Sequence, residues 1–134
     1  MKTEMVQAIK DFLINKLDPV FIIVFGSYAK GYNHEHSDID IAFYCEKSSQ
    51  TKYEVFMLAQ NLADILKNEI DLVDISSAST VFKAQIYTTG NVIYSKDDYT
   101  LKNLQMTALS MYAKLNEERE DVLKSIKESG SVYE

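Results

Sequence analysis

Cysteine, arginine, proline and long apolar runs are what this sequence has little of. Its single cysteine, Cys45, has no partner for an internal disulfide, so a disulfide-framed fold is excluded. Cys45 reads instead as a small buried hydrophobe at the end of a strand. One arginine, Arg119, stands among 134 residues, and the net charge is −6. Proteins that grip a polynucleotide by its phosphates show a basic face, so strong nucleic-acid binding and template-directed polymerisation are not expected. No apolar stretch approaches the roughly 20 residues that cross a bilayer, and the sequence opens without a signal-peptide pattern. The expected location is the cytoplasm. Repeats, linkers and low-complexity segments are also absent.

What is present is an ordinary globular composition, 46% hydrophobic and 25% charged. Val6, Ile9, Leu13 and Leu17 recur at helical spacing and predict a helix over Met1–Leu17, stopped by Asp18-Pro19. Val20–Phe25 (VFIIVF) predicts a buried strand, and Ser37–Tyr44 a half-buried one. Lys52–Lys67 predicts a helix with Val55, Ala59, Leu62 and Leu66 on one face and Asn68 as its terminator. Glu69–Ile75 (EIDLVDI) predicts a third strand, and Ser76–Tyr87 a helix capped by Ser76 or Ser77. Gly90-Asn91 turns the chain into a last strand, Val92–Tyr94. A long helix is predicted from Asp97 to Glu128, its stripe of Leu101, Leu104, Ala108, Met111 and Leu115 thinning before the charged run Asn116–Asp121. Val122, Leu123 and Ile126 form either a partner surface or a small satellite core. The fold expected is α+β, a small mixed sheet with helices packed on it. Its core spans 1–96, and a helical extension of the same domain spans 97–134.

Chemistry concentrates between the first two strands, in Gly26–Asp40, GSYAKGYNHEHSDID. Strand alternation puts Asp38 and Asp40 on one face, about 6–7 Å apart. Two acids that close repel unless a cation lies between them, and a divalent metal serves best. Gly26 permits a tight turn with φ > 0, and free N–H groups after it, with the Ser27 hydroxyl, suit phosphate oxygens. His34 and His36 form an H-x-H pair that reads as solvated loop. A third acid is expected from another strand. Asp71 and Asp74 are the candidates, and their spacing of three allows one of them to face the site.

Gly26-Ser27, ten residues, then Asp38-Ile39-Asp40 resembles the G-S-x10-D-x-D signature of the DNA polymerase β-like nucleotidyltransferases. The small size resembles the minimal nucleotidyltransferases, and in particular the antitoxin half of HEPN–MNT toxin–antitoxin pairs. The resemblance implies that Asp38, Asp40 and Asp71 hold two Mg2+ ions, with Asp71 also the base for the acceptor hydroxyl. It implies that Gly26, Ser27 and Lys30 position the phosphates of ATP. Lys30 departs from the arginine common at that position, keeping the charge without bidentate geometry.

The activity implied is transfer of AMP from ATP to a hydroxyl, a tyrosine's, of a cognate HEPN ribonuclease toxin, with which the chain would form a hetero-oligomer. Acidity and the lack of a nucleic-acid face suit a protein acceptor. After Arg119 there is no histidine, so the HEPN ribonuclease motif is missing from this chain. Two rivals are a small-molecule adenylyltransferase similar to the aminoglycoside-modifying enzymes, and an antitoxin that acts by binding alone.

Overall fold

The computed structural model describes residues 2–28, 38–47 and 50–128. Lys30, His34 and His36, all in the loop before the Asp pair, lie outside the described residues. Helix α1 (Thr3–Leu17) buries Ile9, Leu13 and Leu17, each four residues from the last. Asp18 closes it in the left-handed conformation, φ 47°, with its N–H on the Ile14 carbonyl. Pro19 follows and prevents continuation. Strand β1 (Phe21–Phe25) is buried at every residue, which is why it reads as an unbroken apolar run.

Strand β2 (Ile39–Tyr44) runs antiparallel to β1, pairing Phe21 with Tyr44 and Phe25 with Asp40. Helix α2 (Lys52–Leu66) starts with a capping box: Thr51 accepts from the Glu54 N–H, and the Glu54 carboxylate accepts from the Thr51 N–H. It ends one residue earlier than the sequence suggests. Lys67, not Asn68, takes the left-handed closing position, with its N–H on the Ala63 carbonyl, and the Asn68 side chain donates to the Leu66 and Lys67 carbonyls. Strand β3 (Ile70–Asp74) runs parallel to β2, and strand β4 (Asn91–Ser95) antiparallel to β1. The sheet is therefore mixed, in the order β3-β2-β1-β4, with β3 at an edge.

Ser76 and Ser77 do not cap a helix. Ile75–Ser77 form a 3-10 turn held by Asp74, and helix α3 (Thr80–Thr89) begins later, where Ser79 accepts from the Phe82 N–H. Sequence alone shows Ser76, Ser77, Ser79 and Thr80 within five residues, each an acceptable cap. Helix α4 (Asp98–Glu128) starts at Asp97, whose carboxylate accepts from the Tyr99 and Thr100 N–H groups.

Two apolar layers flank the sheet. Ile22 and Val24 of β1 with Ile39, Ile41 and Phe43 of β2 face α1 and α2. Phe21, Ile23, Phe25 and Ala42 face α3 and the first half of α4, whose Leu101 and Ala108 are buried. Beyond that, α4 leaves the domain. Val122, Leu123 and Ile126 are 58, 65 and 43% exposed, so they form no satellite core.

Candidate active site

The site lies where β1 ends and β2 and β3 begin. β1 leads into a turn at Gly26, whose φ of +74° is a conformation that side-chain-bearing residues seldom adopt. Space adds a second reason for glycine. A Cβ there would collide with the Asp40 carboxylate, meeting its Oδ2 and coming within 3.0 Å of its Cγ. Gly26 thus permits the turn and lets the backbone approach one of the acids. Ser27 follows it in the same turn, half-buried.

Asp38 sits just ahead of β2 and is exposed, whereas Asp40 is inside the strand and half-buried. The parallel register sets Asp40 beside Asp71 on β3. Neighbours in register point to the same face, so these two carboxylates share one surface. The cost is visible in Asp40: burial pushes its carboxyl pKa up, and the charges of Asp71 and then Asp38 push it further. Among the described residues, no cation pairs with any of the three. An ion pair among the described residues, Lys96–Asp18 at 3.0 Å, lies at the far end of the sheet.

Asp71 and Asp74 have separate fates. Asp74 accepts from the Ser76 N–H at 3.1 Å and from its hydroxyl at 2.7 Å, and so holds the 3-10 turn. Asp71 stands exposed beside Asp40.

One contact has no signature in the sequence. Tyr28, the residue after Ser27, is 7% exposed and reaches Asn68, three residues before Asp71. In the amide orientation that satisfies both ends, the Tyr28 hydroxyl donates to the Asn68 oxygen at 3.2 Å. The Asn68 nitrogen then donates to the Leu66 and Lys67 carbonyls at 3.1 and 3.2 Å. The turn that carries Ser27 is thereby tied to the approach of β3. Forty residues separate the partners, so no local pattern announces the pair.

β3 also borders a groove of about 630 Å³, walled by α2 on one side and the start of α3 on the other, with Asp71 in its lining. Chemically the site offers clustered carboxylates for a hard cation, a glycine turn for phosphate, and an adjoining cleft.

The same region is matched by the family model "Polymerase beta, Nucleotidyltransferase", which spans residues 7–99, from α1 to the start of α4. Protein adenylyltransferase MntA of Shewanella oneidensis is 37% identical over 109 residues, covering 78% of this chain and 74% of its own. A crystal structure of a toxin–antitoxin with AMP-PNP aligns with a TM-score of 0.81 at 32% identity, over 91% of this chain and 98% of that one. The re-refined structure of the tri-AMPylated Shewanella oneidensis HEPN toxin in complex with MNT antitoxin aligns with a TM-score of 0.78 at 29% identity, over 95% and 99%. On this evidence the chain belongs to the polymerase β nucleotidyltransferase family.

Proposed function

We propose that this chain is the antitoxin of a toxin–antitoxin pair and a Mg2+-dependent protein adenylyltransferase, moving AMP from ATP to a tyrosine hydroxyl of a HEPN-family toxin. The observation that carries the proposal is the juxtaposition of Asp40 and Asp71 beside the Gly26 turn, without a described cation to balance them. The family and the relatives named above supply the reaction class and the kind of partner.

The donor set fits Mg2+. It consists of hard carboxylate oxygens, and Asp40 already bears the repulsion that a cation would relieve. Among the described residues no group of three or more Asp, Glu, His or Cys side chains is placed to hold a metal ion by itself, so substrate phosphates and water would have to complete the shell. Mg2+ commonly keeps several waters and is bound by one or two carboxylates together with substrate phosphates. Asp38 and Asp40 would hold two ions, with Asp71 binding one of them. When bound, the metal neutralises the triphosphate and stabilises the attacking and leaving oxygens.

The rest falls to the chain. Gly26 and Ser27 hold the β- and γ-phosphates through backbone N–H groups and the serine hydroxyl, with Lys30 as a further positive charge. Asp71 takes the proton of the acceptor hydroxyl, whose oxygen bonds to the α-phosphorus as the α–β bridging P–O bond breaks. Pyrophosphate leaves and AMP remains as a phosphodiester on the acceptor. A charged but cation-poor cleft suits a polypeptide acceptor better than a polynucleotide. The exposed apolar residues late in α4 give the partner a place to hold, so binding contributes to neutralisation besides modification.

The test is to incubate the protein with the HEPN protein encoded beside it, Mg2+ and ATP, and to weigh both chains by intact mass spectrometry. The expected result is a partner heavier by whole AMP units, and unmodified when Asp38→Ala, Asp40→Ala replaces the wild type. An unchanged partner that is nevertheless inhibited in a stable complex would mean an antitoxin that acts by binding alone.

A further inference from the structure

The groove beside β3 is not accounted for by the phosphate turn or the acid pair. Its floor is the outer edge of β3, which no other strand covers among the described residues. Val55, Phe56 and Gln60 of α2 form one wall, and Ala78 and Phe82 the other. Phe56 is 57% exposed, while Phe82 is braced edge-on against Phe25 of β1, with ring centres 5.7 Å apart. One wall is thus an aromatic free to be covered and the other an aromatic that is fixed.

The edge itself is open for hydrogen bonding. The Glu69 carbonyl accepts from the Ile39 N–H, at 2.9 Å, so residue 69 faces β2. Backbone groups alternate along a strand, so Asp71 and Val73 also turn towards β2 and Ile70 and Leu72 turn outwards. Outward N–H and C=O groups on an uncovered edge are a template for an added strand. At about 3.3 Å per residue, the five residues of β3 offer ~16 Å of edge, enough for a segment of similar length.

Charge and geometry select the occupant. Asp71, Asp74 and Lys52 are the charged residues of the lining, a net negative set that repels a nucleotide's phosphates and accepts a neutral or basic polypeptide. The strand order puts the Gly26–Ser27 turn on the β1 side of Asp40 and the groove on the β3 side. In-line displacement requires the attacking oxygen opposite the leaving pyrophosphate. With the phosphates on the turn, the acceptor must approach from the side of β3, past Asp71.

We infer that the acceptor protein docks as an extended segment added to the edge of β3, in the groove between α2 and α3, which brings its tyrosine hydroxyl to Asp71. This rests on the adenylyltransferase reading and adds to it the conformation and the location of the acceptor.

The experiment uses the full chain and the neighbouring HEPN protein, with Mg2+ and a non-hydrolysable ATP analogue for binding or ATP for turnover. Hydrogen exchange in the stretch 69–74 slows at least about tenfold when the partner is added to the analogue-bound protein. Phe56→Glu, an exposed helix position, raises KM for the partner about tenfold and leaves KM for ATP in place. Wild-type transfer of AMP without protection of 69–74 and without a KM change in the variant overturns the groove and leaves the adenylyltransferase standing. Protection without any AMP added upholds the groove and sinks the adenylyltransferase reading. The exchange measurement needs no variant, so a poorly folded Phe56→Glu does not remove the test.

Discussion

The two ends of the sheet treat charge in opposite ways. At the end where β1 begins, the charged side chains named here have partners. Lys96 pairs with Asp18, Asp74 holds the 3-10 turn, and Phe21 stacks on Tyr44 at 5.5 Å. Burial there lifts the Tyr87 hydroxyl pKa to about 12. At the end where β1 finishes, Asp38, Asp40 and Asp71 gather with no described cation, and a glycine in an unusual conformation makes room for Asp40. The difference between the ends separates structural acids from candidate catalytic ones within a single strand.

The comparison can be broken most severely at Asp38 and Asp40. Asp38→Ala, Asp40→Ala should lower AMP transfer by about a thousandfold or more in an initial-rate assay, because several kcal/mol of charge stabilisation are removed. Asp71 and Asp74 give the sharper contrast. Asp71→Asn should cut transfer by about a hundredfold with the fold intact, the scale of a lost general base. Asp74→Ala should leave transfer near wild type and cost about 1 kcal/mol in denaturant unfolding, as a lost cap does. Equal losses of activity would erase the distinction between the two acids.

Smaller effects are expected around the turn. Gly26→Ala places a methyl against Asp40 at a positive φ and should destabilise by about 1–2 kcal/mol in urea unfolding, with weaker ATP binding. Tyr28→Phe removes the hydrogen bond to Asn68 and should cost about 1 kcal/mol by the same measurement.

The smallest effect is in the pH dependence of the metal-free protein. The folded state raises the Asp40 pKa above 3.8, so it holds that proton more tightly than the unfolded chain does. Stability from this group is therefore full below pH 3.8 and is lost as pH rises through the raised value. Asp40→Asn, which does not titrate, should show a flatter stability profile than wild type from pH 3.8 upward.

Much of this was legible in the sequence, because the governing signals are local. The apolar run before Gly26, the alternation through Ile41 and the stripe of α4 each fix an element from neighbouring residues. Asp40 lies in β2 and Asp38 just ahead of it, so a spacing of two in the sequence is enough to bring both acids to the start of the strand. What sequence left open depended on contacts across the chain. The different surroundings of Asp71 and Asp74 depend on the parallel register with β2 and on the hydrogen bonds from Ser76 to Asp74. The start of α3 is not legible locally, because a 3-10 turn takes up the first two serines and Ser79 caps the helix. Tyr28–Asn68 and the groove beside β3 join segments whose proximity exists only after folding.

The central claim is that the acidic end of the sheet is left unbalanced for a metal-bound nucleotide. The most direct measurement is the melting temperature of wild type and Asp40→Asn at neutral pH, each with and without Mg2+ plus a non-hydrolysable ATP analogue. Wild type should melt no higher than the variant when bare, and rise by several degrees with metal and nucleotide together, about 2–4 kcal/mol of linkage at saturation. The variant should scarcely respond. A wild type that melts well above the variant when bare, with both responding equally to Mg2+ and nucleotide, would contradict the account.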